Sequence, residues 1–509
     1  MHKLAELDHR YLWHPFTQMR DWLKEEPLVI MSGKGAVLRD VRGREYLDAN
    51  SSIWTNLHGH NHPAINAAIT GQLKKIAHSS ALGFANEPAS LLAEKLVHAA
   101  RCPDARRDLA NLPASAPPLA RKRGTRTSAP AYQPLLSKVF FSDDGSTAME
   151  VALKLAYEYA RRVGRSRTPR FLALEGAYHG DTVGAVSLGH IDLFHKAYGG
   201  LLFKSDTVMA PYCYRCPFNR AKPERADARD YRRCKWECVA KVEQRFVRQR
   251  KTGNPYAAMV LEPLMQGAAG MIAQPEGWLS RVASIVRADG AQLIADEIMT
   301  GFGRTTANRA GGEKNVRFDP IFACHQEGVQ PDYLAVAKGM TGGYLPMAAT
   351  FTTQAVFDAF LGEYSEFKTF FHGHSFTSNQ LGSAASLASL SQLLSPSCRR
   401  ARHTLARALQ ENLATLWRLP QVGDIRQTGL VAGVELVRDW RTRRPFDLAE
   451  RAGIRVCEAM ARRGVLTRPI GNVIALLPPY CSTRAQVGKM VEALGDAVEE
   501  VFGNDPSRA

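Results

Sequence analysis

Two apolar segments about 40 residues apart, each ending in charged side chains, decide how this sequence folds. Residues 291–298 read AQLIADEI, and residues 333–340 read YLAVAKGM. Short apolar runs of this kind are typical of strands buried in a parallel sheet. Asp296 and Lys338 stand at the carboxyl ends of these runs, which is where open α/β sheets bind their ligands.

An aspartate and a lysine at one sheet edge are the two groups that a pyridoxal-phosphate (PLP) enzyme needs. The lysine amine forms a Schiff base with the cofactor, and the aspartate pairs with the pyridinium nitrogen so that the ring can withdraw electrons. On these residues alone, a buried Asp–Lys ion pair or two unrelated strand ends explain the pattern as well. The PLP hypothesis therefore depends on what else lies at the same edge.

A turn of small residues follows another predicted strand and opens a helix. Residues 141–150 read FSDDGSTAME. Gly145 and Ser146 would let backbone N–H groups at the start of the helix face an anion. A helix cap by Asp144 or Ser146 explains the same residues, so this segment indicates an anion site only together with others.

Two more strand ends add an aromatic side chain and a carboxylate. Residues 175–181 read EGAYHGD and follow the predicted strand 171–174. Tyr178 could therefore stack on a flat cofactor ring, or it could simply fill a turn. Glu262 ends the predicted strand 257–262 and would present a carboxylate, although a solvated loop end explains it equally well.

The length and composition are those of a globular chain with several domains. Its 509 residues exceed one typical hydrophobic core and suggest two or three domains. The sequence contains no apolar run long enough for a transmembrane helix and no apolar signal region at the N-terminus. We therefore expect a cytoplasmic protein with no membrane partner. Nine cysteines in such a chain do not indicate a disulfide framework.

The net charge of +17 is concentrated in two segments: residues 101–133 carry +5 and residues 213–251 carry +8. A nucleic-acid role needs a basic face on a recognisable module, and the sequence shows none, so we expect no nucleic-acid partner. Both segments are expected to be solvated insertions, and residues 104–133 are predicted to be a disordered surface loop. A scaffold or nucleic-acid-associated protein that uses them is the alternative to an enzyme.

Short apolar strands alternate with helical stretches between about residues 134 and 355. This alternation predicts a mostly parallel sheet with helices on both faces. A hairpin over residues 35–48 and helices over 148–161 and 381–394 are also predicted. Besides the strand in the run 333–340, the predicted strands span 138–141, 171–174, 257–262, 292–295, 430–436 and 473–477.

Taken together, these motifs resemble the class III PLP-dependent aminotransferases of fold type I. The decisive combination is DEI at 296–298, GFGRT at 301–305, PD at 331–332 and KG at 338–339. The resemblance covers nearly the whole chain apart from the insertions. It implies an α/β fold with a large, mostly parallel sheet domain and a smaller α+β domain formed by the N- and C-terminal segments. The implied division is 1–75 (small domain), 76–375 (large domain, containing insertions 104–133 and 213–251) and 376–509 (small domain).

Within class III, four motifs resemble the biotin-pathway aminotransferases that make 7,8-diaminononanoate. This resemblance implies transfer of an amino group to 8-amino-7-oxononanoate. Other class III ω-aminotransferases, which act on a diamine, taurine or an ω-amino acid with pyruvate, are the alternative. The motifs are LWHPFTQM at 12–19, NSSIW at 50–54 with HGHNHP at 58–63, FHGHSFTSN at 371–379, and LTRPIGN at 466–472 with LPPY at 477–480.

The resemblance also implies how the cofactor, PLP, is bound. Lys338 would be the Schiff-base lysine and the base for the proton shift, and Asp296 would hold the pyridinium proton. Tyr178 would stack over the ring. Gly145 and Ser146 would bind the phosphate.

Further roles follow from the same resemblance. Ser375, with His374 beside it, would reach the phosphate of the neighbouring subunit's cofactor, which implies a homodimer with a shared active site. Arg468 would bind the carboxylate of the small-molecule substrate, a role that suits its planar guanidinium group. Trp54 and Gly373 would line the substrate tunnel.

Two positions leave the amino donor open between S-adenosylmethionine and L-lysine. The family usually has a tyrosine where this chain has Phe16, and a second aromatic residue where it has Ile53. Both positions would contact the substrates, and S-adenosylmethionine is the usual donor of the family. Members with these replacements resemble the branch that uses lysine.

Four cysteines in the second basic segment form a Cys-x2-Cys pair and a Cys-x3-Cys pair. Four thiolates at this spacing could bind a structural zinc ion that staples the insertion. Four reduced cysteines without a metal, or a disulfide formed on oxidation, are the alternatives. The residues are Cys213, Cys216, Cys234 and Cys238.

Overall fold

The structure is a computed structural model that describes residues 1–101, 134–305 and 320–503. The predicted loop at 104–133 lies outside the described residues. The strands are β1 (Ile30–Lys34), β2 (Val37–Asp40), β3 (Glu45–Asp48), β4 (Leu136–Ser142), β5 (Phe171–Leu174), β6 (Asp206–Val208), β7 (Ala258–Leu261), β8 (Met265–Gln266), β9 (Ile272–Ala273), β10 (Gln292–Asp296), β11 (Tyr333–Val336), β12 (Ala348–Thr353), β13 (Val422–Thr428), β14 (Val431–Asp439), β15 (Arg444–Pro445), β16 (Val465–Leu466), β17 (Pro469–Ile470) and β18 (Val473–Leu476).

The described residues also form α-helices and short 3₁₀ turns. The α-helices are α1 (Lys3–Tyr11), α2 (Met19–Trp22), α3 (Pro63–Leu73), α4 (Glu87–Ala99), α5 (Gly145–Arg162), α6 (Val183–Ser187), α7 (Asp192–His195), α8 (Ala228–Tyr231), α9 (Glu237–Arg250), α10 (Trp278–Asp289), α11 (Gln354–Asp358), α12 (Gln380–Leu393), α13 (Pro396–Leu413), α14 (Ala452–Arg462) and α15 (Arg484–Phe502). The 3₁₀ turns are Lys196–Leu201, Cys213–Arg215, Cys324–Glu327, Lys338–Thr341, Tyr364–Glu366, Ala414–Arg418 and Leu448–Glu450.

The largest sheet has seven strands in the order β4-β12-β11-β10-β7-β5-β6. Strands β11, β10, β7, β5 and β6 pair in parallel. Strand β12 runs antiparallel to both β11 and β4, so β4 points the same way as the parallel strands. The carboxyl ends of β4, β5, β7, β10 and β11 therefore meet at one edge of the sheet. The expected mostly parallel sheet is confirmed, whereas strand β12 was not among the strands predicted from the sequence.

Burial explains why the two opening segments are strands. Every residue of β10 and β11 is buried, as expected for strands covered on both faces. Helix α5 covers part of the sheet with its apolar side. That side comprises Ala148, Met149, Val151, Ala152, Leu153, Leu155, Ala156 and Ala160, all buried.

One of the smaller sheets joins the N-terminal and C-terminal segments of the chain. The predicted hairpin is strands β2 and β3, paired antiparallel from Val37↔Leu47 to Arg39↔Glu45. Strand β16, near the C-terminus, pairs in parallel with β3. A second small sheet has the order β13-β14-β18-β17, with β15 beside β14. The expectation of a smaller region built from both terminal segments is therefore confirmed.

In the three described ranges, every helix is too short or too polar to cross a bilayer.

Candidate active site

The charged and aromatic strand ends surround one cavity of about 450 Å³ at the carboxyl edge of the large sheet. Its walls include residues at the ends of β4, β5, β7, β10 and β11. These residues lie far apart in the sequence and meet at the sheet edge. The cavity is lined by Trp54, Thr55, Asp143, Asp144, Gly145, Ser146, Tyr178, His179, Gly180, Glu262, Ala268, Asp296, Ile298, Met299, Ala337, Lys338, Gly343, Tyr344, Leu345, Pro346 and Met347.

Lys338 presents a buried amine to this cavity. Its residue follows β11 with a backbone φ of 33°, in the left-handed region that non-glycine residues seldom adopt. The Nζ atom lies 4.7 Å from the centre of the Trp54 ring. Burial lowers the pKa of Lys338, although Asp296 and Glu262 oppose the shift. A strained backbone and a desolvated amine are properties of a reactive lysine.

Asp296 presents a carboxylate that a histidine holds in place. His179 Nδ1 lies 2.7 Å from Asp296 Oδ2, and both side chains are almost completely buried. The other oxygen, Oδ1, accepts a hydrogen bond from the Ile298 amide at 3.0 Å. The sequence interpretation named Asp296 but missed His179, although this histidine directly follows Tyr178 in the motif.

The two neighbouring glutamates have different environments. Glu262 lines the cavity and accepts a hydrogen bond from the Gly267 amide at 2.7 Å, so the solvated loop end considered for it is wrong. Burial, with a smaller contribution from Asp296, raises the pKa of Glu262 to about 7. Glu297 is turned away and accepts hydrogen bonds from the amides of Ala323 and Cys324.

The start of helix α5 forms another wall of the cavity. Asp144 caps the helix by accepting the Thr147 amide at 2.9 Å, as the alternative interpretation of this segment expected. The amides of Gly145 and Ser146, in the first turn, have no partner within the helix and remain free to hold an anion. A Cβ atom on Gly145 would lie 2.9 Å from an Ile298 methyl group, so only glycine lets the helix approach β10 so closely.

Tyr178 is a half-buried aromatic wall. Its hydroxyl donates to Asp181 Oδ2 at 2.8 Å, and its ring lies nearly parallel to that of His195, at an interplanar angle of 9°. Burial raises the pKa of this tyrosine, and the Asp181 hydrogen bond adds to the shift. The side chain is therefore neutral and held in a fixed plane.

Comparison with known proteins decides the family. Residues 19–498 match the family model described as aminotransferase class-III. The adenosylmethionine-8-amino-7-oxononanoate aminotransferase of Geobacter sulfurreducens is 43% identical over 500 residues, which cover 98% of each chain.

The chain belongs to the class III aminotransferases.

Solved structures agree with this assignment. The adenosylmethionine-8-amino-7-oxononanoate aminotransferase of Methanocaldococcus jannaschii superposes with a TM-score of 0.81 at 35% identity, covering 98% of both chains. An amine transaminase from an uncultivated Pseudomonas species, in its PLP-bound form, gives a TM-score of 0.79 at 31% identity and covers 96% of this chain and 98% of that one. The predicted fold and enzyme class are confirmed.

Class III aminotransferases bind PLP, so PLP is the cofactor of this aminotransferase. The side chains of the cavity fit that molecule. A desolvated amine suits an aldehyde, a buried carboxylate suits a protonated ring nitrogen, and free amides at a helix start suit a phosphate. The cavity provides one group of each kind, in Lys338, Asp296 and the first turn of α5.

The N-terminal motif reaches the cavity through a second aromatic residue. Phe16 lies edge-on to Phe194, with ring centres 5.3 Å apart, and Phe194 lies edge-on to Tyr178 at 6.2 Å. Arg468 Nη2 is 3.4 Å from the Phe16 carbonyl oxygen, and its side chain is exposed outside the cavity wall. The sequence interpretation missed Phe194, which lies outside the recognised motifs.

The segment around Ser375 approaches the cavity from its rim. His374 Nδ1 lies 3.4 Å from an oxygen of Asp143, which lines the cavity. The Ser375 carbonyl accepts a hydrogen bond from His78 at 2.9 Å. Gly373 and Ser375 are exposed. Within the described residues, neither Gly373 nor Ser375 lines the cavity.

The zinc site expected in the four-cysteine segment stays a prediction. Within the described ranges, no three His, Cys, Asp or Glu side chains are arranged to hold a metal ion. All four thiols are free, and Cys213 and Cys238 are buried. Burial raises the pKa of Cys213 to about 12 and that of Cys238 to about 11, so both thiols are protonated near neutral pH. The remaining two are Cys216 and Cys234, both partly exposed.

Arginines attach this segment to the rest of the protein. Arg225 donates to the carbonyls of Val422 and Leu419, each at 2.6 Å. Arg215 donates to Glu435 at 2.6 Å and 2.9 Å. Helix α9 buries Val242, Phe246 and other residues in the main core. The expectation of a solvated insertion is wrong for residues 213–251, because α9 packs into the core and three arginines of the segment, Arg215, Arg225 and Arg229, bind groups of β13, β14 and their neighbours.

A fully buried ion pair forms the centre of this contact. Arg426 Nη1 lies 2.8 Å from Asp424 and 2.6 Å from Glu435. Burial opposes ionisation of Glu435, but Arg426 and Arg215 outweigh it and lower its pKa. We call Arg215, Arg225, Asp424, Arg426 and Glu435 the arginine junction.

Proposed function

We propose that this aminotransferase transfers an amino group to 8-amino-7-oxononanoate, giving 7,8-diaminononanoate in biotin biosynthesis. The observation that carries the proposal is its likeness, over 98% of both chains, to the Geobacter sulfurreducens protein of that name. The match includes the terminal segments, which contain Phe16 and Arg468, the residues we propose for substrate binding. Likeness confined to the cofactor-binding residues would support only an aminotransferase of unspecified substrate.

We assign the chemical work to the residues of the sheet edge. When bound, PLP supplies an electron-withdrawing ring that makes a C–H bond beside the amine nitrogen acidic. Because burial lowers the pKa of Lys338, more of its amine is neutral near pH 7 and able to accept and return that proton. Asp296, oriented by His179, would keep the ring nitrogen protonated. The amides of Gly145 and Ser146 would hold the phosphate.

Arg468 is our candidate for binding the carboxylate of the acceptor. Its contact with the Phe16 carbonyl places it beside the aromatic line that runs through Phe194 to Tyr178. An apolar path with an arginine at its outer end suits an acceptor with an aliphatic chain and a terminal carboxylate. Replacing Arg468 with alanine is expected to raise the KM for the acceptor by about 10- to 100-fold, with a smaller effect on kcat.

The relatives named for adenosylmethionine favour S-adenosylmethionine as the amino donor of this enzyme. Phe16 and Ile53 are the positions that make L-lysine the competing donor. Both side chains are exposed and lie near the cavity, Phe16 through Phe194 and Ile53 beside Trp54.

The test supplies purified enzyme with 8-amino-7-oxononanoate and each donor in turn, and measures 7,8-diaminononanoate by mass spectrometry. Product with either donor supports the proposed acceptor, and the ratio of kcat/KM values identifies the donor. An enzyme that makes no product with either donor, yet transfers amino groups from a diamine or ω-amino acid to pyruvate, would be another class III ω-aminotransferase.

We also propose a homodimer in which Ser375 and His374 complete the partner's site. Support comes from the exposure of Ser375, beside the partly buried His374, and from three exposed aromatic side chains of the same segment, Tyr364, Phe367 and Phe371. Mixed dimers of Lys338→Ala and Ser375→Asp chains would contain one site with neither change. Activity of that mixture well above either variant alone is expected, and no recovery in verified mixed dimers contradicts the shared site.

A further inference from the structure

Residues Ser51–Trp54 form one turn of left-handed helix beside the cavity. Their φ angles are 47°, 47°, 64° and 70°. For L-amino acids this conformation brings Cβ close to the following carbonyl oxygen, and it is least suited to a β-branched residue such as Ile53. Strain of this kind persists only where the surroundings impose it, and it is concentrated at functional sites.

Buried polar groups impose this conformation on the backbone. Asp48, 2% exposed, accepts hydrogen bonds from the Ser52 amide at 3.0 Å and the Ser52 hydroxyl at 2.9 Å. His60 Nε2 holds the same carboxylate at 2.9 Å. Ser51 Oγ donates to the Leu477 carbonyl at 2.6 Å, and this ties the turn to the C-terminal region. The backbone of the turn is therefore fixed from both sides.

Asn50 fixes the side chain that the turn carries. Its carbonyl accepts the Trp54 amide at 2.8 Å, and its side-chain oxygen accepts the Trp54 indole Nε1–H, also at 2.8 Å. Asn50 is 5% exposed, so water competes little for these bonds. One residue thus sets both the position and the ring orientation of Trp54.

The indole held in this way is a wall of the reaction space. Its ring centre is 4.7 Å from Lys338 Nζ. The far edge of the ring lies against Gly267, where an added Cβ would be 3.2 Å away. The ring also packs against the cluster that contains Met265, Met271 and Met299. A change in ring orientation would alter the space beside the amine that carries the proton.

We propose that Asn50 is a positioning residue for aminotransfer, acting through the Trp54 indole to fix the wall beside Lys338. It touches neither the lysine amine nor the cavity itself. The strained turn brings Trp54 to the cavity, and the Asn50 hydrogen bond selects one orientation of its ring. The inference rests on the proposed function only for the choice of substrate in the rate measurement.

The rate test is a double-mutant cycle with Asn50→Ala and Trp54→Phe. Asn50→Ala is expected to lower kcat by about tenfold with a smaller change in KM, because misplacement near the reacting atoms affects the transition state. In the Trp54→Phe background, where the indole N–H is absent, Asn50→Ala is expected to have less than about a twofold effect. Asn50→Asp keeps the acceptor oxygen and should retain most of the wild-type rate. Equal effects of Asn50→Ala in both backgrounds would overturn the proposal.

A second measurement does not depend on activity. The near-ultraviolet circular dichroism of the full-length chain, wild type minus Trp54→Phe, reports the fixed environment of this indole. Asn50→Ala is expected to remove at least about half of that difference signal. An unchanged signal would contradict the proposal even if the rate fell.

The matched control is Asn254→Ala, which removes an asparagine that bonds the Thr168 carbonyl at 2.9 Å, at a site outside the cavity. Its rate and its Trp54 signal should stay at wild-type values. A wild-type enzyme inactive toward 8-amino-7-oxononanoate would refute the proposed function while leaving the spectroscopic test intact. An active wild type with an unaffected Asn50→Ala variant would refute this inference alone.

Discussion

The sheet edge and the arginine junction both bury charged groups, but they use them in opposite ways. At the sheet edge, Lys338, Asp296 and Glu262 all face one cavity. At the junction, Arg426 lies within 2.8 Å of both Asp424 and Glu435, so the charges neutralise one another. The sheet edge has groups available to a ligand, whereas the junction has used its groups to hold two parts of the chain together.

The comparison shows that burial of charge does not by itself indicate a functional site. Perturbed pKa values occur in both regions, as in Glu262 at the edge and Asp424 at the junction, each raised to about 7 by burial. What distinguishes the edge is that Lys338, Asp296 and Glu262 line the same cavity and that the backbone is strained at Lys338. At the junction, Asp424 and Glu435 are instead both paired with Arg426. Substitutions in the two regions should therefore affect different measurements.

The largest effect is expected at Lys338. Lys338→Ala should lower kcat by at least about 10⁴-fold, because among the described residues that line the cavity Lys338 is the only amine that can both join the cofactor and move the proton. Its unfolding temperature without cofactor should change little. Lys24→Ala, an exposed lysine paired with Asp21, is the control and should retain full activity. A Lys338→Ala enzyme that still turns over would refute the assigned site.

The next effect is expected at Asp296. Asp296→Asn keeps the shape but removes the charge that would hold the ring proton, and should lower kcat by about 10²- to 10³-fold. His179→Phe, which removes the 2.7 Å contact, should lower it by about tenfold. Steady-state kinetics with saturating cofactor measures both. A loss at His179 larger than that at Asp296 would contradict the supporting role assigned to the histidine.

Substitutions in the arginine junction should lower the stability of the protein rather than its catalytic rate. Glu435→Gln leaves Arg426 and Arg215 short of a buried counter-charge, and should lower the free energy of unfolding by about 3–5 kcal/mol. Glu499→Gln breaks an exposed pair with Arg418 and should cost less than about 1 kcal/mol. Denaturant titration measures both. A Glu435→Gln protein that is stable but has a greatly reduced kcat would make the junction part of the active site.

The smallest effect is expected on the alkylation rates of the four cysteines. Because burial raises the pKa of Cys213 to about 12 and of Cys238 to about 11, little thiolate is present at pH 8. Alkylation of these two cysteines should therefore be slow and should accelerate about tenfold per pH unit up to pH 11 or so. Cys216 and Cys234, partly exposed, should be labelled first. Peptide mass spectrometry follows the labelling.

Metal analysis of the same protein tests whether the four cysteines bind zinc. Fewer than about 0.2 zinc ions per chain are expected, because the described thiols form no ligand set. One tightly bound zinc per chain, with all four thiols protected, would confirm the zinc site predicted from the sequence and show that the arginines do not hold this segment alone.

The local sequence pattern was sufficient to predict the strand ends at the carboxyl edge of the large sheet, where the cofactor binds. The runs ending at Asp296 and Lys338, and the small-residue turn at Gly145, lie in β10, β11 and the start of α5 as predicted. Such predictions succeed because apolar period and strand-end position are properties of a few consecutive residues. The same pattern gave no signal for β12, whose residues Ala348–Thr353 mix small and polar types.

Tertiary structure alone decided which distant residues meet. His179 reaches Asp296 across 117 positions, and Arg215 reaches Glu435 across 220. The cysteine spacing suggested a metal, yet the segment is held by arginines whose partners lie near the C-terminus. Sequence spacing constrains only nearby residues, whereas buried charges are neutralised by whichever groups the packing brings within reach.

The sequence by itself thus determined the fold class, the enzyme family and the strand ends that bear the reactive amine and carboxylate. The tertiary structure decided how those groups are oriented and what surrounds them. The left-handed turn at Ser51–Trp54 is the clearest case, because no local preference of these residues favours it. Hydrogen bonds to Asp48, Asn50 and the distant Leu477 carbonyl hold it in that conformation.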